Sequence, residues 1–212
     1  IGDAMRMIRN GEADIALCGG SEGCVDPVAI GGFTAAKALS FNFNDEPTKA
    51  SRPFDADHDG FVLSEGAAAL VIERLSHAEA RGATPLAIVS GYGTTTDAHH
   101  VTAGWSDGRE AARAMRLALD MAGLEPGAIG YVNAHATSTP VGDAAELAAL
   151  TSVFGPGGGG VPVSSTKSAT GHMLGAAGAI EAVFSILALR HQTLPAGLNI
   201  ERPMVEAEGF DL

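Results

Sequence analysis

The chain has 212 residues, of which 46% are hydrophobic, 5% aromatic and 28 are glycine, with a formal charge of −12 at pH 7. That length suits one sizeable domain or a large piece of a bigger protein, and the small-residue-rich, aromatic-poor composition suits an α/β core in which helices lie close on a sheet. The acidic balance and 13 scattered Lys and Arg argue against a nucleic-acid binder, and no apolar run reaches the roughly 18 residues that span a membrane.

In chain order, Ile1 rather than Met opens the sequence. Gly2 to Ile8 already reads as helix interior, with Met5 and Ile8 at i, i+3 and no N-cap ahead, so the chain is expected to begin inside an element. Residues 14–18 read as a buried strand, after which Gly19-Gly20-Ser21-Glu22 is expected to turn the chain. Two cysteines, Cys18 and Cys24, are too few for a disulfide scaffold; they fit an intracellular, cytoplasmic protein, with Cys18 as a small buried hydrophobe. Residues 67–72 and 86–92 read as strands separated by a short helical segment holding His77, Ala78, Ala80 and Arg81, with Gly82 as its stop.

Residues 107–123 form the clearest amphipathic helix: Asp107 caps it, Ala111, Met115, Leu119 and Ala122 share a face, and Gly123 ends it. There follow a strand at 129–133, a helix near 142–154, a flexible glycine turn at 155–160, a strand at 161–165 and a long helix from about Leu174 to Arg190. Strand and helix layers alternate with no domain linker, which predicts a layered α/β fold.

Two histidines stand out. His135 follows the 129–133 strand, where α/β proteins open their sites, and precedes Thr137, Ser138 and Thr139, a run of hydroxyls closed by Pro140. His172 ends the stretch Ser164-Ser165-Thr166-Lys167-Ser168-Ala169-Thr170-Gly171-His172 and stands before a helix start, whose positive potential favours a neutral imidazole. A neutral imidazole can donate its N–H to a developing oxyanion. Lys167 lies in an otherwise uncharged stretch, so if buried it needs a carboxylate, and Glu181 is the nearest acid in sequence. His99, His100 and Asp97 lack a third ligand spacing, and together with Asp55, Asp57, His58 and Asp59 they read as solvated loops rather than a metal site.

The linked histidine motifs, with Ala50-Ser51-Arg52-Pro53-Phe54-Asp55 and Asp59-Gly60-Phe61-Val62, resemble the β-ketoacyl-acyl carrier protein synthases, most closely the type II elongating enzymes of fatty acid synthesis. The resemblance covers essentially the whole chain. It implies a thiolase-like αβαβα fold in part, with the end of an N-terminal half over about residues 1–80 and most of a C-terminal half over about 81–212. It also implies that the nucleophilic Cys falls just before Ile1, that a glycine-rich gating loop follows the last residue, and that these residues alone are inactive.

Residue by residue, the resemblance implies that His135 and His172 hydrogen-bond the malonyl thioester carbonyl and stabilise the enolate. Lys167 organises the site with Glu181 as its acidic companion, and Thr137, Thr139 and, with less support, Thr102 hold the phosphopantetheine arm. Phe33 lines the acyl pocket near a dimer interface, and Lys37, expected one helical turn beyond Phe33, docks the acyl carrier protein. Ala136 stands where the family commonly has glycine, a change of one methyl group.

The implied reaction is decarboxylative condensation of a malonyl carrier with an acyl thioester, with no cofactor and no metal, in a homodimer whose partner is acyl carrier protein. Rival readings are a polyketide ketosynthase domain, a noncatalytic subunit that sets chain length, and a degradative thiolase. The retained histidines and Lys167 disfavour the noncatalytic subunit, and the lack of a second active-site thiol disfavours the thiolase.

Overall fold

The computed structural model describes residues 1–212. Helix α1 (Gly2–Arg9) buries Met5 and Ile8 and has no side-chain cap. It leads into β1 (Ile15–Glu22), which pairs antiparallel with β2 (Gly66–Glu73) from Ile15 opposite Glu73 to Glu22 opposite Gly66. The expected turn at 19–22 is therefore strand. The glycines serve close approach instead: a Cβ on Gly19 would lie 2.1 Å from the Ala68 carbonyl oxygen and one on Gly20 2.2 Å from that of Gly175.

Between these strands lies α2 (Pro27–Ala35), capped by Asp26, whose side chain accepts the N–H groups of Val28 and Ala29. No residue of α2 is buried. Helix α3 (Leu75–Ala80) follows β2 and ends before Gly82, at φ +73°.

Residues 86–92, read from sequence as a strand, form no ladder. An extended segment becomes a strand only with a hydrogen-bonded neighbour, and this stretch instead packs its glycine on α4 (Arg109–Ala122), where a Cβ on Gly91 would lie 2.0 Å from the Ala118 carbonyl oxygen. In α4 the fully buried residue is Ala112 rather than Ala111, and Gly108, not Asp107, is the N-cap. The Asp107 carboxylate still accepts the Arg109 N–H at 3.2 Å.

The remaining elements are β3 (Val132–Asn133), α5 (Pro140–Phe154), β4 (Val163–Ser164), the single turn α6 (Lys167–Thr170) and α7 (Ala177–His191). The glycine turn is a 3₁₀ segment (Pro156–Gly160) with positive φ at Gly157, Gly158 and Gly159. Strands β3 and β4 pair in parallel, Val132 with Val163 and Asn133 with Ser164. Beneath them lies a core of Phe54, Ala134, Ala136, Leu147, Leu150, Val161, Val163, Met204 and Ala207.

Helix α7 packs on β1 and β2, and α5 packs on α4, which gives the layered α/β arrangement. By length and composition alone, residues Leu174–His191 could cross a membrane, contrary to the sequence reading that no stretch was long and apolar enough. In α7 only Ala177, Ala179 and Ala188 are buried; the helix lies against the β1–β2 sheet, and Glu181 within it is ion-paired with Lys167.

Candidate active site

Parallel pairing sends β3 and β4 out of the sheet at the same end, so the segments that follow them are neighbours despite their distance in sequence. Ala134 N–H donates to the Ser164 carbonyl at 2.9 Å, and the Ser165 hydroxyl donates to the Ala136 carbonyl at 2.6 Å. Ala134 and Ala136, each 1% exposed, point into the core, and the alternation along extended backbone turns His135 outward between them.

His172 arrives by another route. Gly171, at φ +70°, lies so close to the 62–64 segment that a Cβ would be 2.9 Å from the Val62 carbonyl oxygen. The next residue is bonded into the same segment, with His172 N–H donating to the Val62 carbonyl at 2.7 Å and Ser64 N–H to the His172 carbonyl at 3.1 Å. The His135 and His172 rings meet edge to face with centroids 5.4 Å apart. Phe61 lies edge to face on His172 at 5.3 Å, and Phe33 on Phe61 at 5.1 Å, so the ring of Phe33 reaches the histidines through Phe61.

Both imidazoles are held neutral, with pKa values lowered to about 4. Burial is the larger cause for each and the Lys167 charge the second. Protein surrounds the His135 ring on most sides, although the residue keeps an exposed edge. Lys167, 1% exposed at its side chain, is ion-paired with Glu181, the contact anticipated from their positions in sequence. Burial outweighs the lysine and keeps the Glu181 carboxyl above its ordinary pKa.

The hydroxyl loop is tightly held. Thr137 and Thr139 hydrogen-bond to each other at 2.9 Å, and Gly142 leaves room for them, since a Cβ there would lie 2.5 Å from Thr139 Oγ1. Ser138 is fully buried at φ +70°, its Oγ accepting the Arg52 N–H at 3.1 Å and its carbonyl the Gly60 N–H at 2.9 Å. A non-glycine residue in this backbone region is strained and persists only where its surroundings hold it.

Two carboxylates that the sequence reading missed do much of the holding. Asp143 accepts the N–H groups of Phe54, Thr137 and Thr139, at 3.0, 3.0 and 3.3 Å, and Glu146 accepts those of His135 and Ala136, at 2.7 and 2.6 Å. They are the only charged residues of α5, spaced i, i+3 just after the histidine loop, a pattern that could have drawn attention.

Other residues lie apart. Thr102 is on an exposed loop, where its N–H donates to His100 Nδ1 at 3.2 Å. His99 stacks on Trp105 at 3.9 Å, and the Arg109 guanidinium lies over the same indole at 4.3 Å. Lys37 is exposed and lies past the C-cap of α2 at φ +54° rather than within the helix, so it does not extend the turn that carries Phe33.

Fold and site together define a thiolase-like chain with a paired-histidine centre. Family models described as the β-ketoacyl synthase N-terminal domain and C-terminal domain match residues 1–78 and 86–201, and the chain belongs to the β-ketoacyl synthase family. It is 52% identical, over 96% of its length and 44% of the relative's, to the mitochondrial 3-oxoacyl-[acyl-carrier-protein] synthase of Arabidopsis thaliana. It is 50% identical to 3-oxoacyl-[acyl-carrier-protein] synthase 2 of Rhizobium meliloti (strain 1021), over 98% of the chain and 49% of the relative.

Among solved structures, a β-ketoacyl synthase from Burkholderia phymatum matches with a TM-score of 0.93 at 42% identity, over 99% of this chain and 50% of that one. A type II polyketide ketosynthase complex with its acyl carrier protein (AntDE:AntF) matches with a TM-score of 0.95 at 38% identity, over 99% and 51%. The chain spans about half the length of the curated relatives it matches.

Proposed function

We propose that these residues supply the decarboxylation half of a ketosynthase centre for fatty acid elongation, and the observation that carries this is the pair of neutral imidazoles meeting over the buried Lys167–Glu181 pair. Loss of carbon dioxide from a malonyl thioester leaves the C–C electron pair on an enolate. An N–H from each neutral histidine stabilises the enolate oxygen without prior deprotonation. The carbanion then attacks an acyl thioester, the new C–C bond forms, and a thiolate leaves. Lys167 keeps the rings neutral, Thr137 and Thr139 hold the phosphopantetheine arm, Phe33 borders the acyl pocket, and Thr102 is a further arm contact from the 97–107 loop.

The thiol that carries the acyl group belongs to a residue other than Cys18 or Cys24. Cys18 lies within β1 against the Leu70 carbonyl, and burial followed by the Glu22 charge raises the Cys24 pKa, which suppresses its thiolate. Residues 1–80 and 81–212 are accordingly parts of the N- and C-terminal halves of one ketosynthase unit.

The partner is acyl carrier protein, met by exposed Lys37, and α2, apolar yet without a buried residue, contributes to a homodimer. The unpaired Cys18 and Cys24 fit a reducing compartment such as the cytoplasm. The polyketide reading has the similarity to the AntDE:AntF complex in its favour, whereas both curated relatives above, at 50% identity or more, are named as 3-oxoacyl-carrier synthases. The test is to supply acyl- and malonyl-carrier to the complete gene product. A single round of ketoacyl product supports elongation, repeated extension without reduction favours the polyketide reading, and no product from either carrier defeats both.

A further inference from the structure

His172 Nδ1 is buried without a hydrogen-bond partner, so the direction of the ring depends on the rings it touches and on the backbone to either side. Upstream and at the residue itself, that backbone is tied to Val62 and Ser64. Downstream it turns sharply: Leu174 has φ +39°, a region that is strained for a residue with a side chain and persists only where its surroundings hold it. The turn is secured from across the fold, where the Gly175 N–H donates to Glu22 Oε2 at 3.2 Å, between residues 153 apart in sequence.

Glu22 stands at the last rung of the β1–β2 ladder, opposite Gly66, and that end of the sheet is shaped to seat the turn. A Cβ on Gly20 would lie 2.2 Å from the Gly175 carbonyl oxygen, and one on Gly66 2.7 Å from Met173 Sδ. The other carboxylate oxygen of Glu22 accepts the Gly23 N–H at 3.1 Å, which fixes the side chain at its own end. The Gly175 N–H first and the Gly23 N–H second hold the carboxyl below its ordinary pKa, so both oxygens remain acceptors at neutral pH.

We infer that Glu22 is a positioning residue for His172: its carboxylate takes the Gly175 N–H and pins the strained turn that aims the imidazole at the substrate carbonyl. The inference rests on the ketosynthase reading of the two histidines. Glu22 acts through the backbone rather than through its charge, since burial and Lys167 are the causes of the His172 depression and Glu22 is not among them.

The experiment compares wild type with E22A and E22Q in the complete gene product. In E22A, kcat for malonyl-carrier decarboxylation is expected to fall at least about tenfold, with KM changed less than about threefold. E22Q keeps one acceptor oxygen for Gly175 and should recover part of the rate. Side-chain ¹⁵N titration supplies a second readout. With the turn loosened, water reaches the His172 ring and its midpoint should rise from about 4 toward 6.5, while that of His135, held from α5, is unaffected. Loss of a carboxylate charge alone would lower a histidine midpoint, so a rise reports the turn and not the charge. A folded E22A with unchanged kcat, or with the two histidine midpoints unmoved or shifted together, overturns the inference. Should E22A fail to fold, E22Q decides: a reduced kcat with a raised His172 midpoint supports the inference, and a wild-type value of either overturns it. Absence of any condensation by wild type defeats the ketosynthase reading instead, and the His172 titration still decides whether Glu22 holds the turn.

Discussion

Lys167 and Glu181 are ion-paired at the foot of the histidine pair, with side chains 1% and 16% exposed. Removing one partner leaves the other in a poorly solvated site. K167A is therefore expected to cost about 3–5 kcal/mol by urea unfolding of the complete gene product. It should also raise the pKa of both histidines, because the lysine charge is the second cause of their depression. A variant with unaltered histidine titration would show that burial alone keeps them neutral.

Both imidazoles should remain neutral well below the ordinary histidine range, protonating near the value of about 4 that burial sets. These are bases whose folded pKa lies below the unfolded one, so the unfolded chain binds more protons between the two values. Their contribution to stability is complete above about 6.5 and is lost as pH falls from there toward about 4. The exposed edge of His135 reduces its share. Side-chain ¹⁵N titration of the two rings measures this, and a midpoint near 6.5 for either would refute it.

Asp143 is fully buried and accepts three backbone N–H groups. D143A would strand all three donors, at about 1–3 kcal/mol each, and is expected to lower stability by at least about 3 kcal/mol. D143N keeps one acceptor oxygen and should cost less. Equal losses from both variants would mean that charge rather than acceptor number matters at this position.

Exposed Lys37 offers an acidic carrier a local positive charge on a chain of net charge −12. K37E in the complete gene product should weaken carrier binding and flatten its dependence on salt, as loss of one attractive contact does. Titration calorimetry at two ionic strengths would detect the change, and unaltered affinity at low salt would remove Lys37 from the docking surface.

The 212 residues expressed alone are expected to form no ketoacyl product, because neither cysteine is a competent acyl carrier for the two histidines. They also expose Leu17 at 76% and Val71 at 65% from the outer face of the β1–β2 sheet, so self-association is expected at micromolar concentration. Product assays and light scattering check the two points. Turnover, or covalent acylation of Cys18 or Cys24, would locate the nucleophile within the chain.

Most of the helices and β2 were legible from the residues alone, since an apolar stripe, a capping residue or a terminal glycine is a local signal that survives without tertiary context. The two histidine motifs and the Lys167–Glu181 contact were legible too, because few residue types serve such chemistry and a buried lysine needs an acid. Other features required the folded chain. Gly19 and Gly20 look like a turn in sequence but lie within β1, as backbone from Ala68 and Gly175 comes within contact of their α-carbons. Residues 86–92 look like a strand but have no ladder partner. The depression of the histidine pKa values by burial and by Lys167 depends on the folded surroundings, and the grip of Asp143 and Glu146 on the 135–139 backbone appears only once α5 has folded back beneath that loop. Each of these depends on groups distant along the chain, and local periodicity carries no record of which donor meets which acceptor or of how much water a side chain keeps.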